Sequence, residues 1–394
     1  MANEKNCLGL YLAAEPTGGG TYQYSISIAD GLAGLADRGW SLTAITHDES
    51  WAEQLSSDWN VVVEPIDAKR RTIGRLYRQI DRFSAGIRRS ARFDLARSIL
   101  RNRFDILVFP GQELVGAQVS SPAIVAVHDL MHRYESGFSE YSRIVSAGRE
   151  RRYRAITSTA AGILVDSDLG KTQIIESYGV DPESVHVLPF VVPPYLMSPV
   201  EVDIATKYSL DYEYLFYPAQ LWEHKNHIRL LEAIALNKRR GLEINLVLAG
   251  SPQNADQQVR SRIQNLDLTS NVRLLGYVPN EDMYSLYMGA HATVFVSLIG
   301  PTSIPPLEAM YLGSPLVAGR RYAMEEQVGD AAILVDPLDV QSIADGIARI
   351  WTDPELRAKL TARGHARSAS WTRAEFGERL CEIVTHMSNK ELKH

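Results

Sequence analysis

The chain has 394 residues, too many for one ordinary hydrophobic core, so two domains are expected. Hydrophobic residues make up 45% and charged residues 22%, and a net charge of −6 argues against nucleic-acid binding by bulk electrostatics. The two cysteines, Cys7 and Cys381, are too few and too distant to form a disulfide framework or a zinc ligand set, which fits a reducing cytoplasm.

Short apolar runs alternate with helical patterns along the chain. The first half gives CLGLYLAA (7–14), SLTAITH (41–47), VVVEPI (61–66), DILVFPG (105–111), AIVAVHDL (123–130), GILVDSD (162–168) and VHVLPF (185–190). The second half gives YLFYPAQ (214–220), INLVLAG (244–250), VRLLGY (272–277), ATVFVS (292–297), PLVAG (315–319) and AILVD (332–336). These runs are β-branched-rich and mostly bounded by Gly, Pro or Asp, so they read as strands buried on both faces of parallel sheets. Helical periods lie between them, as at 226–238 and 341–351. The fold class is α/β, with two doubly wound, Rossmann-like domains. The proline-rich stretch FVVPPYLMSPVEVD (190–203) marks the linker. Ligands of such folds bind in the cleft beyond the carboxyl ends of the strands. The opening residues are too soon interrupted for a signal peptide, and no apolar stretch reaches the length of a membrane span.

One segment is electrically odd. Between Arg70 and Arg103 eleven arginines face two acids, with apolar residues at helical spacing. A solvated helix face is the bland explanation. The size of the excess favours an anionic contact, such as a membrane surface or a lipid-linked pyrophosphate.

Four places carry candidate chemistry. Gly18, Gly19 and Gly20 follow the first strand and open an amphipathic helix, where unpaired amides suit an anion. Their spacing is not that of a dinucleotide fingerprint, which disfavours an NAD-dependent enzyme. His128 and Asp129 sit at a strand tip. Lys225 stands just before a helix that starts near Asn226, where the macrodipole disfavours a cation unless an anion lies between them. Glu308 lies at the start of the helix PPLEAMYLG, where its charge suits the dipole or its oxygens suit the hydroxyls of a nucleotide ribose.

In order, the Gly-rich loop, VHDL, YPAQLWEHKNH, IPPLEAMYLGSPLV, GDAAILVDP and a terminal SWT helix resemble the retaining nucleotide-sugar glycosyltransferases of family 4. The resemblance implies a GT-B fold. It assigns residues 1–197 and the C-terminal helix, 372–394, to an acceptor-binding domain, and 198–371 to a donor-binding domain. It implies that Lys225 neutralises the donor diphosphate, Glu308 holds the ribose and His128 positions the sugar as catalytic groups. Gly19, Gly20 and Gln220 would contact the donor, and Asp129 the acceptor. The family usually has a second glutamate eight positions before Glu308; here it is Gly300. It usually has an arginine five before the lysine; here it is Gln220. Backbone amides of Gly300, Thr302, Ser303 and Ile304 are expected to replace the missing acid. The branch with these departures implies mannose transfer from a GDP-sugar to a glycan or lipid-linked acceptor of a bacterial surface polysaccharide. No metal and no cofactor are implied. The enzyme would be cytoplasmic, with peripheral contact to the inner membrane face. The competing expectation is a non-catalytic sugar-nucleotide binder or assembly protein of the same fold.

Overall fold

The computed structural model describes residues 6–15, 18–64, 104–117 and 119–391. The arginine-rich segment between Arg70 and Arg103 lies outside the described residues. Two units are present: Met1–Ser136, Tyr141–Pro189 and Arg373–His394 form unit 1, and Gly137–Glu140 and Phe190–Thr372 form unit 2.

Unit 1 runs β1 (Cys7–Leu12), α1 (Gly20–Ala33), β2 (Ser41–Thr46), α2 (Trp51–Gln54), β3 (Trp59–Val63), β4 (Ile106–Phe109), β5 (Ala123–Ala126), α3 (Met131–Tyr134), α4 (Arg143–Thr159), β6 (Gly162–Val165), α5 (Asp168–Tyr178) and β7 (Val185–Val187). Unit 2 runs α6 (Ile204–Tyr208), β8 (Leu215–Pro218), α7 (His227–Arg239), β9 (Leu246–Ala249), α8 (Asp256–Asn265), β10 (Val272–Gly276), α9 (Asn280–Met288), β11 (Ala292–Phe295), α10 (Ile304–Leu312), β12 (Leu316–Gly319), α11 (Met324–Val328), β13 (Ala332–Val335), α12 (Val340–Thr352) and α13 (Pro354–Ala369). The last helix, α14 (Arg373–Glu391), belongs to unit 1.

Every expected strand is present. All strand pairs are parallel, in a seven-stranded sheet of order β3-β2-β1-β4-β5-β6-β7 and a six-stranded sheet of order β10-β9-β8-β11-β12-β13. The central strands ILVF, AIVA and GILV are buried at every residue, because helices cover both faces. In each sheet the order reverses once: between β1 and β4, and between β8 and β11. Loops leaving such a pair diverge and open a crevice at the strand ends.

Two expectations need correcting. The division falls at Pro189/Phe190, not after residue 197. The intervening stretch is tied to unit 2: Leu196 is buried, and the Tyr195 hydroxyl donates to Glu308 at 2.6 Å. Second, α1 is not amphipathic over its first half. Every residue from Tyr22 to Ala29 is buried: Tyr22 packs on Trp51 and Tyr24 on His128, and α14 covers the following turn. The two helices meet at Gly31 and Gly377, where a Cβ on Gly31 would lie 3.2 Å from the Gly377 Cα. Ion pairs Arg373–Asp30 and Arg38–Glu378 flank that crossing. Among the described residues, no helix is long and apolar enough to cross a membrane.

Candidate active site

The reversal in unit 2 brings together two loops. The loop after β8 carries Gln220, a 3₁₀ turn (Glu223–Lys225) and Asn226. Asn226 is buried with φ 62, a left-handed conformation that asparagine tolerates better than most residues. Its side-chain amide donates to the carbonyls of Val296 (3.1 Å) and Pro337 (2.7 Å), so one residue ties this loop to the ends of β11 and β13. The Leu298 amide donates to the His224 carbonyl at 2.8 Å, and the Tyr217 hydroxyl donates to the Lys225 carbonyl at 2.5 Å. The Lys225 backbone is thereby fixed at the foot of α7, and its ammonium lies 5.3 Å from the Phe295 ring centre.

Gln220 accepts from the Trp222 indole N–H at 2.9 Å. With its oxygen so engaged, the amide NH₂ is the end left for an anionic partner. Below the loop, His227 is buried against Tyr217, with ring centres 4.9 Å apart. Burial holds its imidazole down to about 3, so it is neutral at neutral pH.

The opposing loop follows β11. Gly300 has φ 105, and a Cβ there would sit 3.3 Å from the Thr302 carbonyl oxygen. A glutamate at this position would be strained, so the departure from the family pattern is built into the backbone. The expectation that amides from Gly300 to Ile304 serve a ligand needs trimming. The Ser303 amide donates to Gln327 Oε1 at 2.9 Å, and Gln327 Nε2 donates back to the Ser303 carbonyl at 2.6 Å. Pro305 and Pro306 have no N–H. Of the amides that open α10, this leaves the Ile304 amide.

Glu308 is the fifth residue of α10, beyond the first turn, so the helix-start account of its charge does not hold. It is 4% exposed. Its Oε1 accepts from Tyr195 at 2.6 Å and its Oε2 from Tyr287 at 2.7 Å. Burial raises its carboxyl above the ordinary range, and the two phenol bonds oppose that rise. Each carboxylate oxygen keeps one acceptor site after these bonds.

Gly19, Gly20, His128 and Asp129 belong to unit 1. Gly19 has φ 61 and caps α1, with no side-chain capping bond. The His128 ring packs edge-on against Tyr24, with centres 4.9 Å apart, and burial lowers its pKa. Asp129 accepts from the Met131 amide at 2.9 Å and from Arg149 at 2.7 Å, so one oxygen of the expected acceptor ligand already orders α3 and α4. Sequence reasoning missed Tyr195, Tyr287, Gln327 and Trp222. Asn226 had a local signal, an Asn immediately before a helix start.

Two parallel Rossmann-like sheets, each with its loops gathered at one reversal of strand order, define the class: the GT-B fold of glycosyltransferases. The model of the group 1 glycosyl transferases matches residues 204–367, and that of the glycosyl transferase 4-like domain matches residues 24–190. The chain belongs to the group 1 glycosyltransferases. It is 29% identical over 229 residues to O-antigen chain mannosyltransferase B of Escherichia coli, covering 56% of this chain and 60% of the relative. It is 28% identical over 220 residues to an MMP alpha-(1->4)-mannosyltransferase of Mycolicibacterium hassiacum, covering 53% of this chain and 50% of the relative. The matched stretch thus spans about half to three fifths of these curated relatives. In fold it is similar to Anabaena HepE, solved in complex with UDP-glucose: TM-score 0.73 at 16% identity, covering 96% of this chain and 99% of that one.

Proposed function

We propose that the chain is a retaining hexosyltransferase. It moves mannose from a GDP-sugar to a glycan or lipid-linked acceptor in bacterial surface polysaccharide synthesis. The observation that carries this reading is the pair of loops at the β8/β11 reversal, one ending in Lys225 and the other leading to Glu308. The mannosyltransferase names of the relatives support the sugar.

In this reading the donor diphosphate is the leaving group. It departs as an anion and needs no protein acid. Lys225, the Gln220 amide and the foot of α7 stabilise the charge that develops on it. Glu308, oriented by Tyr195 and Tyr287, accepts from the ribose hydroxyls. Backbone amides of Gly300, Thr302 and Ile304 serve the hexose in place of the missing acid. The family resemblance gives His128 the sugar, Gly19 and Gly20 the donor and Asp129 the acceptor; burial lowers the pKa of the His128 imidazole. The acceptor hydroxyl attacks the face the diphosphate leaves, and the leaving phosphate takes its proton.

The glycine at position 300 favours a second reading, a sugar-nucleotide binder without turnover. Hydrolysis or transfer of the donor separates the two. Calorimetric titration with GDP-mannose, UDP-glucose and dTDP-glucose tests the donor. Tightest binding of GDP-mannose is expected; a preference for UDP-glucose removes the mannose assignment, and no binding of any removes the donor site. The arginines between Arg70 and Arg103 extend the proposal to the cytoplasmic face of an anionic membrane. Each basic group near such a leaflet contributes about 1 kcal/mol, so flotation with anionic liposomes should fade as salt rises.

A further inference from the structure

Unit 1 has its own reversal of strand order, between β1 and β4. The loop that leaves β4, residues 110–113, is held to the tip of β5 by two routes. The Pro110 carbonyl accepts from the His128 ring. Gln112 Oε1 accepts from the Tyr153 hydroxyl at 2.8 Å; that hydroxyl accepts from Arg149 at 2.8 Å, and Arg149 reaches Asp129 at 2.7 Å. The loop and the His128–Asp129 tip therefore form one ordered shelf.

Glu113 closes this loop. Its carboxylate curls back over Gly111, where a Cβ would stand 2.3 Å from Oε1. Its Oε2 is buried and, among the described residues, has no hydrogen-bond partner. A buried carboxylate oxygen without a donor is unfavourable, and native proteins keep few such atoms without a purpose. Burial raises this carboxyl to about 7, opposed by amides of the same loop and by the Arg152 charge. Glu113 thus offers a fixed acceptor where strand-end loops of the first sheet diverge.

We propose that Glu113 is an acceptor-recognition residue that takes a hydroxyl of the incoming sugar on Oε2. This rests on the glycosyl-transfer reading above and deepens it. The hydroxyl donates and the carboxylate accepts, so the group recognised is a neutral, hydroxyl-bearing sugar. Above pH 7, where the carboxyl is ionised, an acidic sugar substituent at that point would be repelled. No bond is made or broken by Glu113; its role is binding and specificity.

The test uses the full chain with methyl α-mannoside as the acceptor probe and GDP as a separate donor probe. In the wild type, the mannoside should slow amide exchange across residues 110–117. Glu113→Ala should weaken that protection at least tenfold in apparent Kd. Glu113→Gln keeps an acceptor oxygen and should retain most of it. Gly111→Ala, which displaces Oε1 from its seat, should weaken it as Glu113→Ala does. GDP affinity, read by calorimetry, should stay within twofold in all three variants, and wild-type amide exchange in the strands of unit 1 outside residues 110–117 shows that the mutated unit folds. Wild-type protein whose exchange at 110–117 ignores saturating mannoside overturns the proposal, as does Glu113→Ala with an unchanged Kd. Wild-type protein that binds mannoside but not GDP would instead sink the donor reading and leave Glu113 standing.

Discussion

Glu308 is buried between two phenols, yet burial still lifts its carboxyl above the ordinary range. That balance makes the tyrosines testable. Tyr287→Phe leaves one oxygen without its donor, and loss of a partner to a buried charged group costs about 1–3 kcal/mol. Urea unfolding should record a destabilisation of that order, and the affinity for GDP should fall with it because the carboxylate loses its orientation. A variant as stable as the wild type would show that this bond contributes nothing. Glu308 itself was legible in the sequence as a lone acid in a Pro-rich helix start. Its partners were not: they lie 113 and 21 positions away, and only the fold brings them in. Lys225 was legible for a local reason, a cation set against a helix N-terminus. Asn226, beside it, could have been read the same way.

At the scale of elements, the strands were legible because each is an apolar run buried on both faces. The burial of α1 was not, because it depends on distant partners: Trp51, His128 and α14, the last more than 300 residues later. Nor could the sequence reveal how closely β8 and β9 run at their tips. Gly250 follows β9, and a Cβ there would come within 2.2 Å of the Ala219 carbonyl oxygen. That oxygen is backbone and cannot turn aside. Gly250→Ala should therefore push the two tips apart and carry Gln220 with them. Overpacking of this kind costs roughly 1–3 kcal/mol. The expected outcome is a lower unfolding midpoint and at least tenfold weaker GDP binding. An alanine variant with wild-type affinity would separate the strand tips from the donor loop.

For the whole molecule, the titrations give stability a pH dependence. The His227 imidazole is held down to about 3 in the folded chain. Its unfolded counterpart takes a proton near 6.5, so between those values the unfolded state binds more protons. The contribution of neutral His227 is complete above pH 6.5 and is lost progressively as pH falls toward about 3. His186, held to about 4, adds the same sign in unit 1. Glu113, raised to about 7, has the opposite sign between 4.5 and 7: there the folded state keeps the proton and stability falls as pH rises. Below pH 4.5 the histidine slopes are joined by Glu150, which its bond to Arg133 holds down to about 2 and whose contribution is likewise lost as pH falls. Replacing His227→Phe should flatten the acid limb of a stability–pH profile for unit 2; an unchanged limb would show that His227 is protonated in the fold. The most direct test of the central claim is the rate of GDP release from GDP-mannose, compared between the wild type and Lys225→Ala under saturating donor. If Lys225 stabilises the departing diphosphate, kcat should fall by about 100-fold or more, the scale of one preorganised charge-stabilising donor. Wild-type protein that releases no GDP, or a Lys225→Ala variant whose kcat is unchanged, would contradict the account.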